Sequence, residues 1–173
     1  MSDKQFKTHT NTYRRFMLTQ LCYASSRVEY GNDLLQDLSD ILATARSFNQ
    51  AQAIYGVLYY AEGIYFQCLQ GEKSQLEKLF AQISKDTRHN QIHRFPDHVI
   101  EQIHFKQWSM KYVNQHGKIT TLFKKMGLDK FLPHQLNHQQ INQFLDLLLK
   151  MEETGHGTKA RVGIKNKGYQ NYF

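Results

Sequence analysis

The stretch GIYFQCLQG, residues 63–71, has the composition of a buried β-strand but carries an amide in its middle. Aromatic, branched and thiol side chains surround Gln67, and such residues are typical of a sheet covered on both faces. A buried amide without hydrogen-bond partners destabilises a fold by about 1–3 kcal/mol. Strand alternation places Gln67 on the same face as Tyr65 and Leu69. The sequence therefore predicts a polar partner for Gln67 on that face.

The segments on either side predict alternating strands and helices. Branched and aromatic runs indicate strands, and apolar residues at helical spacing indicate helices. In chain order these are strands at 16–23, 53–61, 63–71, 99–103 and 108–113, with helices at 33–49 and 74–86. Asn32 is the predicted cap of the first helix, and Ser74-Gln75-Leu76-Glu77 is a capping box for the second. Glu62-Gly63 predicts a tight turn, and Pro96 excludes a central strand at its position.

The order βαββαββ predicts an α+β fold, a ferredoxin-like sandwich with one extra strand and two helices on one face of the sheet. Two further helices are predicted, one at 120–126 that Gly127 ends and one that Asn137 caps and that continues to about 153. We expect these C-terminal helices to cover the second face, toward which Phe66 and Cys68 point.

The net charge of +7 is concentrated at the two ends of the chain. Residues 1–15 have four basic side chains and one acidic, residues 154–173 have four basic and none acidic, and residues 16–153 are neutral overall. Basic ends can hold an acidic partner or nucleic acid weakly, or simply keep a protein soluble, and both interpretations stay open. We predict a basic extension at 1–15, a main domain at 16–113, a helical cap at 114–153 and a flexible tail at 154–173.

Several classes of function lack their motifs in this sequence. Phosphate-binding glycine loops, nucleophile elbows and zinc-protease motifs do not occur, so an enzyme is not expected. Cys22 and Cys68 have no metal-binding or redox spacing and are predicted to be buried thiols. His134 and His138 are four apart, but Pro133 places His134 before the helix and no third ligand is evident, so no metal site is predicted. Without a membrane-length apolar run or a signal peptide, the chain is expected to be soluble and cytoplasmic.

Polar side chains occur where strands and helices end on the Gln67 face. Tyr23 ends the first strand, Asn49 ends the first helix, and a polar turn at 86–89 follows the second helix. In a ferredoxin-like sandwich the slot between the two helices can bring such positions together. A planar polar ring in the slot would satisfy Tyr23, Asn49 and Gln67 at once. The alternative is that each is satisfied separately, Asn49 as a helix C-cap and Tyr23 by the backbone.

The motifs at these positions resemble those of a known family. They are LCYAS (21–25), ARSFN (45–49), YGVLYY (55–60), YFQCLQG (65–71), DTRH (86–89) and WSM (108–110). Each is weak alone, but their order and spacing resemble the BLUF domain, a blue-light sensor that uses flavin. The resemblance covers about 16–113. The two helices that follow resemble the short stand-alone members, which lack a fused enzymatic output domain.

The resemblance implies roles for individual residues. Tyr23 corresponds to the tyrosine that donates an electron and a proton to the excited flavin. Gln67 corresponds to the glutamine that bridges this tyrosine to the isoalloxazine N5 and C4 carbonyl, and Asn49 to the asparagine that binds the polar edge of the ring. The implied cofactor-binding set is completed by Ile41 in the first helix and by Asp86, Arg88 and His89 on the ribityl and phosphate side.

Trp108 and Met110 correspond to the pair on the fifth strand that reports the light state. Because they are two positions apart, both are expected on one face of that strand, and a slide by two residues would exchange them beside Gln67. Which of them is inward in the dark is left open.

Three residues depart from the family pattern. Gln70 stands where the family usually has Glu; it should lie on the face opposite Gln67 and have little photochemical effect. Phe48 and Gln82 stand where members carry polar or basic residues. These two departures would weaken contacts to the ribose or phosphates of the flavin and so leave the choice between FAD and FMN open. The resemblance favours FAD as the cofactor, with FMN as the alternative.

The function expected from the resemblance is a blue-light photoreceptor that is not an enzyme. Light would rearrange Tyr23 and Gln67, and the change would pass through the fifth strand and the C-terminal helices to a partner protein, an effector or transcriptional regulator. The neutral body and the covered sheet argue against direct nucleic-acid binding, and no membrane contact is expected. Two alternatives stay open: a ferredoxin-like RNA-binding module, and a structural or oligomerisation domain that has lost its flavin. The partner, the sign of regulation, the dark-recovery rate and the oligomeric state are not predicted.

Overall fold

The computed structural model describes residues 17–28, 33–113 and 116–155, with side chains described as far as residue 151. The basic extension at 1–15 lies outside the described residues, and so does the basic tail apart from its first two positions. Both therefore stay predictions.

Eleven elements follow one another within the described residues. They are β1 (Leu18–Arg27), α1 (Leu34–Ala51), β2 (Tyr55–Ala61), β3 (Ile64–Glu72), α2 (Lys73–Ile83), β4 (His89–Arg94), β5 (His98–Val99), β6 (Lys111–Val113), α3 (His116–Lys125), a 3₁₀ turn (Pro133–Gln135) and α4 (His138–Gly155). The α+β class is thereby confirmed.

One sheet carries the fold, with strand order β4-β1-β3-β2-β6, and β5 pairs with β1 beyond the end of β4. The first four strands have the 4-1-3-2 order of a ferredoxin-like sandwich. Among the described strands the pairs are antiparallel, except for β2 with β6, which is parallel. The two central strands, β1 and β3, place Tyr23 directly opposite Gln67.

Two hydrophobic cores lie on opposite faces of this sheet, as the alternation in 63–71 predicts. The helix-pair core joins the sheet to α1 and α2; its buried members include Leu21, Tyr23, Leu38, Leu58, Tyr65, Leu69, Leu76 and Met110. The cap core joins the other face to α3 and α4; its buried members include Cys22, Phe66, Cys68, Phe105, Ile119, Phe123, Phe144 and Leu148. Cys22 and Cys68 are cross-strand neighbours and buried free thiols, which confirms their predicted state.

Several predicted turns and caps are confirmed. Glu62 and Gly63 both have positive φ values, 50° and 79°, as a tight hairpin turn requires. Gly127 ends the α3 region at φ 82°. Asn137 Oδ1 accepts from Gln140 N and Gln140 Oε1 accepts from Asn137 N, each over 3.0 Å, so a reciprocal cap begins α4.

The predicted caps of α1 and α2 are wrong by one or two residues. Asp33, not Asn32, caps α1, because its carboxylate accepts from Leu35 N. Glu72 caps α2 by accepting from Ser74 N over 3.2 Å. Glu77, the predicted partner in a capping box, instead forms an ion pair with Arg94 at 2.6 Å. Glu77 therefore pairs with Arg94 of β4 and does not cap the start of α2, which is the role that the sequence spacing predicts for it.

The edges of the sheet differ most from the prediction. β1 continues past its predicted end at Tyr23 to Arg27, because β4 pairs with that part of it. The polar strand β4 was not predicted, and the strand expected at 99–103 shrinks to His98–Val99. The last strand begins at Lys111 rather than at 108, because Trp108 N donates to Phe105 O and closes a turn before it.

Candidate functional site

A cavity of about 190 Å³ lies between α1 and α2 on the Gln67 face of the sheet. Its walls contain all seven residues predicted to bind a cofactor, namely Tyr23, Ile41, Asn49, Gln67, Asp86, Arg88 and His89. The remaining walls are Thr44, Ala45, Phe48, Leu58, Tyr65, Leu79, Gln82 and Ile83. The fold thus brings the predicted set together, and the alternative of separately satisfied polar residues does not describe their arrangement.

The centre of the site is a hydrogen bond between two strands. Tyr23 Oη donates to Gln67 Oε1 over 2.5 Å, and both side chains are buried. The edge of Tyr23 packs against Phe80 with ring centroids 5.5 Å apart. Burial, reinforced by the negative charge of Asp86, raises the pKa of Tyr23 well above its ordinary value of 10. The phenol therefore holds its proton at neutral pH.

The other end of the Gln67 amide faces Met110. Gln67 Nε2 lies 3.4 Å from the Met110 sulfur, and a thioether is a weak acceptor that cannot donate. Met110 is buried in the helix-pair core, whereas Trp108 is half-buried against the cap core with Lys111 Nζ 5.2 Å above its ring. The expectation that Trp108 and Met110 share a strand face is therefore wrong, because Trp108 precedes the strand and the alternation does not reach it.

Asn49 contributes an unsatisfied acceptor to the cavity. The side chain is fully buried, and its Nδ2 donates to the carbonyl of Ser109 over 2.7 Å. Its Oδ1 has no hydrogen-bond partner among the described residues. Asn49 is also not the C-cap of α1, since the helix continues to Ala51 and Gln52 takes that position. A buried carboxamide oxygen that lines a cavity fits a ligand that brings an N–H group.

The mouth of the cavity is polar but close to neutral. Arg88 Nε donates to Asp86 Oδ1 over 2.9 Å, and this bond holds the pKa of Asp86 below its usual range. His89 Nε2 lies 2.8 Å from the Ile83 carbonyl, which can only accept, so the ring proton is on Nε2. His89 Nδ1 and the Ser25 hydroxyl oxygen are hydrogen-bonded at 2.8 Å. The charges of Asp86 and Arg88 cancel each other.

The cavity's chemistry fits a flat aromatic group with one polar edge. Apolar side chains from both helices and β2 supply flat walls, and Asn49 and Gln67 supply carboxamides that can both donate and accept. The family model described as BLUF, sensors of blue-light using FAD, matches residues 18–111. This chain belongs to the BLUF family.

Solved BLUF structures agree with the assignment. The photo-activated state of BlsA is 49% identical, with a TM-score of 0.75 over 77% of this chain and 95% of that one. The dark-state structure of BlrB, a BLUF protein, is 27% identical, with a TM-score of 0.65 over 78% of this chain and 97% of that one.

A curated relative carries the BLUF region within a much longer protein. Photoactivated adenylate cyclase subunit beta of Euglena gracilis is 32% identical over 96 residues, 54% of this chain but only 11% of that protein. The BLUF domain is a sensor module and not an enzyme, and most of the cyclase subunit lies outside the region that this chain matches. These matches do not support the RNA-binding alternative.

Two wall positions of the BLUF cavity are those where the sequence departs from the family pattern. Phe48 and Gln82 both line it, so both departures lie at the cavity wall. Thr44, Leu58 and Leu79 line it too and were not predicted. Thr44 sits one helical turn after Ile41 and before Phe48, a spacing that could have identified it, whereas Leu58 and Leu79 resemble ordinary core residues in sequence.

No metal ligand set accompanies the BLUF site. Within the parts of the chain that the structure describes, no three His, Cys, Asp or Glu side chains lie together in a way that could hold an ion. His138 instead packs against His98, with ring centroids 4.0 Å apart and the ring planes tilted by 43°. No helix within 17–28, 33–113 and 116–155 has both the length and the apolar composition to cross a membrane.

Proposed function

We propose that this BLUF chain is a blue-light photoreceptor that holds FAD between α1 and α2 and uses Tyr23 and Gln67 as its photochemical pair. The observation that carries the proposal is the 2.5 Å bond from the Tyr23 phenol to Gln67 Oε1, at the wall of the cavity. Asn49 Oδ1, buried and unpaired within the described structure, supports a ligand at this place.

The proposed roles divide the cavity into walls, polar edge and mouth. Ile41 and the other apolar walls would pack on the flavin ring, and Asn49 would bind its polar edge through Oδ1. Asp86, Arg88 and His89 would flank the ribityl and phosphate groups at the mouth. Because the charges of Asp86 and Arg88 cancel, these residues do not favour the two phosphates of FAD over the single phosphate of FMN. The choice of FAD over FMN therefore rests on the family description.

A bound flavin would supply the absorption of blue light and an excited state that accepts an electron. Tyr23 is suited to donate the electron and its proton together, because burial disfavours a charged phenolate and the O–H already points at Gln67 Oε1. Gln67 Oε1 would take up the phenolic proton along that hydrogen bond, and the amide would release a proton toward the flavin that has accepted the electron, so that no net charge stays on either residue. Loss of the phenolic proton removes the donor that fixes the orientation of the Gln67 amide.

Rotation of the Gln67 amide would then change its contact with Met110. Exchange of Oε1 and Nε2 turns the amide N–H toward Tyr23 Oη and the carbonyl oxygen toward the Met110 sulfur. A weak N–H to sulfur attraction becomes a contact between two acceptors, which repel each other. Met110 is therefore the first residue outside the photochemical pair that responds to the rotation.

The proposed signal leaves the site through the backbone next to Met110. The Met110 carbonyl accepts from Arg46 Nε over 3.0 Å, and β6 begins at the next residue and pairs with β2. Tyr59 of β2 contacts His116 Nδ1 at 2.9 Å, at the first residue of α3. Through α3 and α4 the change would reach a partner protein, which we propose to be an effector or transcriptional regulator.

A visible absorption spectrum tests the first half of this proposal. The purified chain should be yellow, and blue light should shift the flavin band to the red, with return in the dark. A colourless protein that cannot be loaded with FAD or FMN would refute the proposal and favour a structural domain that has lost its flavin.

The partner is tested by affinity capture from cell extract with dark and illuminated protein, using a Gln67→Ala variant as the matched control. At least one protein should differ in abundance between the two states of the wild type and not between those of the variant. Identical capture in all four samples would contradict signalling through a bound protein.

A further inference from the structure

Gln70 is a second buried amide on β3, three residues after Gln67 and on the opposite face of the sheet. Only 1% of its surface is exposed, and its cross-strand neighbour Gln20 is 7% exposed. Two amides buried beside the cap core need partners, because an unpaired buried amide is costly. Their partners define what Gln70 does.

Gln70 grips the backbone of a loop. Its Oε1 accepts from His104 N over 2.7 Å and from Phe105 N at 3.3 Å. Its Nε2 donates to Gln20 Oε1 over 2.8 Å and lies 3.3 Å from His104 Nδ1. A carboxamide offers two acceptor sites and two donor hydrogens, so both acceptor sites of Gln70 are used and at least one of its donor hydrogens is.

The loop that Gln70 holds is the one that ends at Met110. From Phe105, buried in the cap core, residues 104–110 pass the start of β2, where Gly56 N donates to the carbonyl of Trp108 over 3.1 Å. A Cβ at Gly56 would overlap the Cys68 carbonyl oxygen, so only glycine lets β2 lie this close to β3. At its far end the loop carries Met110, which contacts Gln67 Nε2.

One strand therefore binds both ends of one loop. Gln70 holds residues 104 and 105 on the cap side, and Gln67 contacts Met110 on the cavity side. The loop cannot shift at Met110 without pulling on the hydrogen bonds at Gln70, because only a few residues separate the two ends.

We propose that Gln70 is a positioning residue for the light-sensing site, which sets how firmly Met110 is held against Gln67. The inference rests on the proposed function, since that assigns the light-driven rotation to Gln67. It differs from the expectation, made from the sequence, that Gln70 has little photochemical effect. Gln70 touches neither Tyr23 nor the cavity and acts through the 104–110 loop.

Three variants of the full, flavin-loaded chain separate the effect of the hydrogen bonds from Gln70 to the 104–110 loop from the effect of side-chain packing. Gln70→Met keeps the side-chain length but removes both the acceptor and the donor. Gln70→Glu keeps the acceptor for the two N–H groups, and Gln20 can turn its own amide to donate to the new carboxylate. Gln20→Met removes the neighbouring amide and leaves the grip on the loop, so it is the matched control.

Of the three variants, only Gln70→Met is expected to weaken the hydrogen bonding of the 104–110 loop. Amide hydrogen exchange at 104–110 in the dark should rise about tenfold or more, as expected when two hydrogen bonds are lost. The Met110 methyl resonance should shift or broaden, and the dark-recovery rate should change by a factor of about three or more. Gln70→Glu and Gln20→Met should stay close to wild type in all three measurements.

Two outcomes would overturn the proposal: wild-type exchange and recovery in Gln70→Met, or a Gln70→Glu variant as disturbed as Gln70→Met. If Gln70→Met does not fold, exchange at His104 and Phe105 in the wild type decides, with strand-like protection supporting the grip and loop-like exchange refuting it. A wild type without a red shift would refute the proposed function alone, because dark exchange and the methyl spectrum still report whether Gln70 positions Met110.

Discussion

Tyr23 and Gln67 are directly opposite each other in the β1–β3 ladder, so the pairing of the two central strands sets the hydrogen bond between them. Neither side chain depends on a loop for its position. The pair is fixed by the most extensively paired part of the sheet, while Met110, which touches the same amide, belongs to an edge loop. A pair positioned by strand pairing and a neighbour positioned by a loop thus meet at one carboxamide.

Replacement of either member of the pair should abolish the light response and leave the cavity intact. Tyr23→Phe removes the proton and electron donor, and Gln67→Ala removes the amide that rotates. Both variants should bind flavin and show no red shift under blue light. A stability loss of about 1–3 kcal/mol is expected for Tyr23→Phe, because Gln67 Oε1 loses its donor. A normal photocycle in either variant would refute the assigned roles.

Asn49 should matter for flavin affinity as well as for stability. Asn49→Ala removes the unpaired Oδ1 and should weaken flavin binding about tenfold, the equivalent of roughly 1.4 kcal/mol. Asn49→Asp keeps an acceptor toward the cavity but sets a carboxylate against the Ser109 carbonyl, so it should lose stability more than affinity. Equilibrium titration with FAD and chemical denaturation measure the two effects. Wild-type affinity in Asn49→Ala would show that Oδ1 does not face the cofactor.

Substitution of Met110 should change the flavin absorption band and the dark-recovery rate more than substitution of Trp108. Met110→Leu preserves the volume of the core, so the expected stability loss is below about 1.5 kcal/mol, but it removes the sulfur that faces Gln67 Nε2. The flavin band and the dark-recovery rate should therefore change. Trp108→Phe should change both less, because Trp108 packs on the cap core. Absorption spectra and recovery after a light pulse provide the comparison, and a larger effect of Trp108→Phe would contradict it.

Stability should fall at alkaline pH because several tyrosines are buried. Burial raises the pKa of Tyr59 and of Tyr65 to about 12, and it raises the pKa of Tyr23 further. An unfolded tyrosine ionises near pH 10, so above that pH the native state binds more protons than the unfolded state and stability declines with pH. Thermal unfolding between pH 8 and 11 tests this, and Tyr65→Phe should make the decline shallower.

Two arginine–carboxylate pairs should differ sharply in their contribution to the free energy of unfolding. Arg27 and Asp37 join β1 to α1 at 2.7 Å with side chains 7% and 3% exposed, whereas Arg94 and Glu77 join β4 to α2 with side chains 27% and 45% exposed. Asp37→Ala breaks an ion pair whose two side chains are both largely buried and should cost about 3–5 kcal/mol. Glu77→Ala, the matched control, should cost about 1 kcal/mol or less, because Arg94 also holds Asp97 and water screens the pair. Urea denaturation measures both losses of stability, and equal losses in Asp37→Ala and Glu77→Ala would contradict the prediction that burial separates the two pairs.

Sequence periodicity was sufficient for the central strands and the long helices. The alternation in GIYFQCLQG correctly separated Gln67 from Gln70, because β3 is paired on both sides and covered on both faces. The cavity set was found because the family motifs mark it. Tyr23, Asn49 and Gln67 are each ordinary in isolation, and the order and spacing of the motifs around them identify the site.

The edges of the sheet could not be predicted in the same way. β4 has the polar sequence HNQIHR, and it forms a strand because β1 offers it a partner, not because of its composition. The composition of 108–113 predicts that Trp108 belongs to a strand, but its N–H donates back to the Phe105 carbonyl and closes a turn. The grip of Gln70 on His104 joins residues 34 positions apart in sequence, and no local pattern indicates it.

The family model ends at residue 111, but the cap core does not. Phe66 of β3 packs on Phe144 of α4 with ring centroids 4.9 Å apart, and Tyr59 of β2 packs on the same Phe144 and on Phe131. The sheet and the two helices that follow it therefore share one interior and should melt as a single cooperative unit. A chain cut after residue 113 would expose the aromatic side of its own sheet. In this molecule the helices proposed to carry the signal are also a condition for the light sensor to fold.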